Sequence, residues 1–334
     1  MGLRTEAWGW SQNLRIATRA VVLLFPAVGA LLLLPSAQAT IQTPAAPRSA
    51  PAQIYTWIGN TPGWNRKLHV SGYRLGCNIG QPQGCVREAS QAVAKDGIRK
   101  IFISMAMVHV QTPLDALAYS RLSVSHPFIV EVGFDDFVDR YQDLFGHPGF
   151  DPQAWLLKVV RNIKAYNPKL AFGITLYEDE LDSPYLHPPY LPNAVARDIG
   201  YVHLYLHYRA DAPRYSEYVK ETKRLFPQAK IIAGMYPYDR ISYIPCAPNG
   251  SHAACSPREE VQLYEEALRT AVKLLKEGRI EGIEFYPGFF GKTATWPGWK
   301  NSDYCAAKDV KQCIEITRMM RDKTASILSA ALGG

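Results

Sequence analysis

Residues 170–181 read LAFGITLYEDEL, and the phase of this stretch decides the fold. Phe172, Ile174 and Leu176 alternate with Gly173, Thr175 and Tyr177. Residues two apart on a strand share a face, so one face is greasy and the other small or polar. That pattern suits a barrel strand with aliphatic groups toward outer helices and a polar interior. The run then breaks into three acids, Glu178, Asp179 and Glu180. An acidic triplet alone is commonly a solvated loop. It is also where a barrel enzyme would keep acid and base groups, and strict alternation turns Asp179 inward.

Working outward, six more stretches read as strands: Ile54–Gly59, Lys100–Ala106, Phe128–Phe134, Tyr201–Tyr208, Lys230–Tyr236 and Ile280–Tyr286. Helical patterns separate them at Val86–Lys95, Pro152–Ala165, Arg214–Phe226 and Pro257–Glu277, and a last one covers Ala307–Ala331. Pro152–Ala165 carries Trp155, Leu156, Val159, Val160 and Ile163 on one face. Ser256 and Pro257 are a cap and a first-turn proline. Alternating strands and helices imply a parallel sheet with right-handed crossovers. No glycine-rich fingerprint follows the first strand, which argues against an open nucleotide-binding sheet. The expected fold is therefore a TIM-like (β/α)8 barrel over residues 54–334, one domain. Its eighth strand is either Leu68–Leu75 or missing.

The strand phases agree with one another. Glu131, Gly133 and Asp135 share a face in the third strand, and His203, Tyr205 and His207 in the fifth. Gly234 and Tyr236 do so in the sixth, and Gly282, Glu284 and Tyr286 in the seventh. Ionisable and phenolic groups thus fall on the inner face near the C-terminal ends, where barrel active sites lie. A single inward Glu is usually a paired core group; the agreement of several strands points to a site. The 19 Tyr and 7 Trp supply flat faces for sugar C–H groups, Trp57 and Trp296 among them.

Composition sets the compartment. With 47% hydrophobic and 20% charged residues the chain is globular rather than disordered. Arg15 and Arg19 precede an apolar run from Ala20 to Pro35, and Ala37-Gln38-Ala39 offers a cleavage site. Residues 1–39 thus read as a signal peptide, with an uncleaved anchor the alternative. Residues 40–53 read as a flexible linker. Cleavage removes three arginines and one glutamate, lowering a formal charge of +7 to +5. Six cysteines after an export signal read as disulfides. Their spacing favours three local bridges: Cys77 with Cys85, Cys246 with Cys255, and Cys305 with Cys313. The expected product is a periplasmic or secreted monomer with no membrane span after cleavage. No basic cluster interleaved with aromatics points to nucleic acid.

In layout, residues 54–330 resemble the retaining (β/α)-barrel glycoside hydrolases, with an acid/base at the end of strand four and a nucleophile at the end of strand seven. The matching positions are Glu178 in TLYEDE and Glu284 in IEFYPG. The resemblance implies that Glu178 protonates the glycosidic oxygen while Glu284 attacks the anomeric carbon, with no cofactor. That class usually has Asn before the strand-four Glu, whereas this chain has Tyr177, so Asp179 and Glu180 stay candidates for the acid. The D-x-x-D-x-D-x-E strand of chitinase-like barrels is absent. Trp57, Glu131, Asp135, Tyr177, Asp179, His203, Tyr205, His207, Tyr236, Tyr286 and Trp296 would line subsites for a carbohydrate polymer or oligomer.

Two other classes compete. A non-catalytic barrel binding an exported polysaccharide in a synthesis or secretion system would keep the aromatics and lose a carboxylate. A metal hydrolase would use Asp135, Asp136, His203 and His207, but two histidines four apart on a strand lie about 13 Å apart. The expected site therefore holds no metal. A serine hydrolase lacks its G-x-S-x-G elbow.

Overall fold

The computed structural model describes residues 53–57, 68–107, 111–237, 256–286 and 310–332. The expected signal segment, the linker up to residue 52 and Trp296 lie outside these residues.

Eight strands are formed: β1 Ile54–Trp57, β2 Val70–Cys77, β3 Lys100–Met105, β4 Ile129–Phe134, β5 Ala171–Tyr177, β6 Ile199–Tyr205, β7 Lys230–Met235 and β8 Gly282–Phe285. Each pairs in parallel with the next, and β8 pairs with β1 through Glu284 opposite Tyr55, so the barrel closes. Of the two options for the eighth strand, the Leu68–Leu75 region is the one realised, as β2. Inserting β2 makes the strands of the two proposed catalytic acids the fifth and eighth. They remain three apart around the barrel.

The helices among the described residues are α1 Pro82–Asp96, α2 Thr112–Ser125, α3 Phe137–Leu144, α4 Pro152–Lys164, α5 Asn193–Asp198, α6 Tyr215–Leu225, α7 Pro257–Lys276 and α8 Val310–Leu332. Their apolar faces pack on the outward residues of the strands, such as Ile101 and Ile103 of β3 and Phe172, Ile174 and Leu176 of β5, in one continuous core. α7 starts as its sequence dictates, with the Ser256 side chain accepting the Glu259 N–H at 3.2 Å. No helix among the described residues is long and apolar enough to cross a membrane.

Of the three expected disulfides, one is formed among the described residues. Cys77 and Cys85 are joined, fastening the end of β2 to the first turn of α1. The expected bridge of Cys246 with Cys255 lies wholly outside the described residues. The expected bridge of Cys305 with Cys313 is cut by their edge: Cys305 lies outside, while Cys313 falls near the start of α8.

Inside, the barrel is filled in layers. Tyr55, Phe102, Tyr201 and Ile232 form an apolar plug at the N-terminal end. Above it sits a layer with one side chain from each even-numbered strand: Arg74 from β2, Glu131 from β4, His203 from β6 and Glu284 from β8. Layers of four from alternate strands are the packing rule of this barrel, but branched aliphatics usually fill them. Here two carboxylates and two nitrogen bases do, each no more than 1% exposed. Glycines at inward positions make the room. A Cβ on Gly173 would overlap the Glu131 carboxylate, and one on Gly234 would overlap the Tyr205 ring.

Candidate active site

Glu284 is the hub of the polar layer. Its Oε1 accepts hydrogen bonds from the Tyr205 hydroxyl at 2.5 Å, Arg74 Nη1 at 3.3 Å and Trp57 Nε1 at 3.3 Å. Its Oε2 lies 3.0 Å from His203 Nδ1, off the line of a good hydrogen bond. His203 Nε2 faces the Glu131 carboxylate at 3.0 Å. Burial would raise the Glu284 pKa, but His203, Arg74 and the Tyr205 bond outweigh it and draw it down to about 2. Burial would likewise lower that of His203, but Glu284 and Glu131 push it up to about 9. Removing such charges from water is costly, and they persist because each has a counter-charge within reach.

Arg74 links this floor to the mouth. Its guanidinium gives Nη1 to Glu284 and Nη2 to Thr175 Oγ1 at 2.7 Å, with Asp135 Oδ1 3.6 Å from the same Nη2. Trp57 stacks on it, 4.8 Å from ring centre to guanidinium carbon. Asp135 follows the end of β4, and its side chain is 37% exposed. Its pKa is raised by desolvation within the mouth, with Asp136 and Glu284 adding, against the pull of Arg74 and a hydrogen bond from Thr175. One guanidinium therefore holds two carboxyls whose environments drive them apart. Glu284 is drawn toward the anion, and Asp135 is shifted toward the acid in spite of its partial exposure.

An aromatic collar lies above. Around β1, β8, β7, β6 and β5, Trp57 meets Tyr286 at 4.9 Å, Tyr286 meets Tyr236 at 5.9 Å, Tyr236 meets Tyr205 at 4.8 Å and Tyr205 meets Tyr177 at 6.4 Å. Tyr177 stacks on His207 at 3.5 Å, and His207 Nδ1 contacts Asp179 Oδ1 at 2.8 Å. The Tyr236 hydroxyl donates to that of Tyr177, which donates to Asp136 Oδ1 at 2.8 Å. Asp136 sits in the left-handed region, φ 47°. Backbone strain of this kind clusters at functional sites.

Trp57, Glu131, Asp135, Tyr177, Asp179, His203, Tyr205, His207, Tyr236, Tyr286 and Glu284 thus come together. Glu178 stands apart. The strand ends at Tyr177 and the chain turns into a single 3-10 turn, Glu178–Glu180. Glu178 Oε2 accepts the His207 N–H at 2.6 Å and Oε1 the Tyr208 N–H at 2.8 Å. Its charge acts on Tyr215 and Tyr218 of α6, on the helix side of the sheet. Burial raises its pKa to about 7 against those two backbone bonds. It shares no hydrogen-bond partner with Glu284: its own are the His207 and Tyr208 backbone N–H groups, whereas Glu284 is held by Tyr205, Arg74 and Trp57. Glu180 is also buried, holding the Tyr177 N–H at 2.9 Å. Of the triplet, Asp179 alone reaches the mouth, placed there by the 3-10 turn after the strand has ended.

No family model matches the sequence, and no curated protein matches it significantly. Similar solved structures include a GH18 chitinase from Pseudoalteromonas aurantia, 14% identical over 70% of this chain and 93% of that one, TM-score 0.46. An exo-beta-1,4-mannosidase from Opitutaceae bacterium strain TAV5 is 12% identical over 83% and 60%, TM-score 0.48. A chitinase from Rhizomucor miehei is 10% identical over 81% and 99%, TM-score 0.45. The barrel assignment rests on the closed strand pairing itself.

Sequence reasoning missed Arg74 and Thr175. The signal for Arg74 was present: in GYRLG, Gly72, Arg74 and Gly76 alternate with Tyr73 and Leu75, so the arginine takes the inner face. His203 and His207 are not brought together as metal ligands, since one lies in the buried layer and the other at the rim. Among the described residues no group of three or more His, Cys, Asp or Glu is arranged to hold a metal ion.

Proposed function

We propose that the barrel mouth is a glycosidase site acting on a carbohydrate polymer or oligomer, in an exported protein. The observation that carries this reading is the Arg74 guanidinium holding Glu284 and Asp135, one carboxyl driven down and the other up. Carboxyls pushed apart in this way are how one site keeps an acid and a base at the same pH. Asp135, open to the mouth, protonates the departing glycosidic oxygen. Glu284, held ionised, attacks the anomeric carbon, which gives retention. Asp135 replaces Glu178 as the acid because both Glu178 oxygens are taken by backbone N–H groups. The aromatic collar supplies stacking faces for the sugar rings, with Asp136, Asp179 and His207 on their hydroxyls. The solved structures of similar shape that are named as chitinases and a mannosidase agree in class with this reading but carry none of it.

The test is incubation of the protein with a panel of bacterial polysaccharides, reading released reducing ends. Glu284→Gln should abolish release, and Asp135→Asn should lower it by about 100-fold or more, the usual worth of a general acid. Glu178→Gln should leave turnover within a few fold, and its loss would return the acid role to Glu178. A folded Glu284→Gln protein with normal turnover overturns the assignment. A second reading is favoured by the complete burial of Glu284. In it the barrel only binds an exported polysaccharide, and sugar binding without released ends, unchanged in Glu284→Gln, is its signature.

A further inference from the structure

The polar layer places His203 between two carboxylates with no water-facing edge. Nε2 lies 3.0 Å from Glu131 Oε2 and Nδ1 3.0 Å from Glu284 Oε2, and the ring is 0% exposed. A neutral imidazole carries one N–H and one lone pair. Whichever tautomer formed, a lone pair would lie 3.0 Å from a carboxylate oxygen, too close for a water to stand between them, although the Nδ1 contact is off the line of a good hydrogen bond. Only the doubly protonated ring sets a proton toward each carboxylate, as a hydrogen bond to Glu131 and as a close charge contact to Glu284.

We propose that His203, clamped as an imidazolium by Glu131, is the positioning residue that keeps Glu284 ionised and holds its carboxylate in one orientation. This rests on the glycosidase reading for its consequence, though not for its geometry. The remaining neighbours agree. The charged groups facing the ring are Glu131 from β4, Glu284 from β8 and Arg74 from β2. β3 presents the edge of Phe102, with ring centres 5.5 Å apart. β5 presents Gly173, whose missing side chain is what lets the Glu131 carboxylate lie beside the ring. Both buried cations in the layer thus border Glu284, and the carboxylate of Glu131 balances the second.

The first measurement is nitrogen NMR of histidine-labelled protein, with His203→Gln to assign the signal. Both ring nitrogens should remain protonated at about pH 7.5, and Glu131→Gln should lower the pH at which the ring loses its proton. A neutral ring at that pH in the native protein overturns the proposal whether or not any substrate is ever turned over. The second measurement is the pH profile of kcat/KM. Without the imidazolium the ionisation of Glu284 needs a higher pH, so the acid limb should move up, with roughly a tenfold or larger extra loss at about pH 5 relative to about pH 7. His203→Gln and the milder Glu131→Gln should both show it. An unchanged limb in a folded Glu131→Gln protein makes the pair merely structural and also overturns the proposal. A native protein that releases no sugar ends while its ring stays doubly protonated sinks the glycosidase reading and leaves the clamp standing.

Discussion

Burial alone would raise the pKa of Glu284, yet His203 and Arg74 draw it down to about 2, so its ionised form favours the fold. That contribution is present above the ordinary carboxylate value of 4.5 and is lost as the pH falls toward 2. His203, pushed up to about 9, contributes fully below its ordinary 6.5, and its share is lost as the pH rises through 9. Glu178 and Glu180 are raised by burial to about 7 and about 8. Each favours the fold while protonated, so those shares are present below 4.5 and fade as the pH climbs through 7 and 8. Three of the four effects vanish on the alkaline side. The melting temperature should therefore peak between about pH 4.5 and 6.5 and decline toward about pH 9. Thermal unfolding across roughly pH 3–9 checks this, and a Tm that climbs from about pH 6 to 9 contradicts it. At neutral pH Glu180 is largely protonated already, so Glu180→Gln should cost less than about 1 kcal/mol by urea unfolding.

At the scale of the element, what was legible depended on what filled the inner face. β5, β6 and β7 announce themselves because outward aliphatics alternate with Gly, Thr, Tyr and His. β2 was harder to see: Gly72, Arg74 and Gly76 hold inner positions, leaving Tyr73 and Leu75 as the only apolar residues between Val70 and Cys77. The same stretch hides Arg74, because an arginine between glycines reads as loop until its partners on β4, β5 and β8 are known. Glu178 misled for a different reason. It was put forward by the family resemblance, whereas alternation gives it the outward parity of Phe172, Ile174 and Leu176, and β5 stops one residue before it. Glycines inside strands are the better guide to this site, since they mark where a bulky polar group leans across. Gly173→Ala should push the Glu131 carboxylate off its place and destabilise by about 1–3 kcal/mol or more. Calorimetry reads that directly, and an unchanged Tm would show that the layer has slack. Joining β2 to α1, the Cys77–Cys85 bridge closes a short loop, so Cys77→Ser with Cys85→Ser should cost about 2–3 kcal/mol.

For the whole molecule, the question is why a barrel whose outer face is packed with aliphatics carries a charged floor. Filling that layer with branched aliphatics would avoid desolvating four charges, and buried ion networks often stabilise no better than apolar groups of similar volume. On the proposed glycosidase reading the arrangement serves chemistry rather than folding. The two possibilities separate cleanly. Removing one member, as in Glu284→Leu, leaves Arg74 and His203 with an unbalanced positive charge and should cost about 3–5 kcal/mol. Replacing all four at once, Arg74→Met with Glu131→Leu, His203→Leu and Glu284→Leu, removes the imbalance. That protein should recover to within about 2 kcal/mol of the native stability, or exceed it, while losing the proposed hydrolysis altogether. Urea unfolding of the single and quadruple variants makes the comparison. If the quadruple variant folds worse than Glu284→Leu, the charged floor belongs to the architecture, and its presence no longer argues that Glu284 meets a substrate.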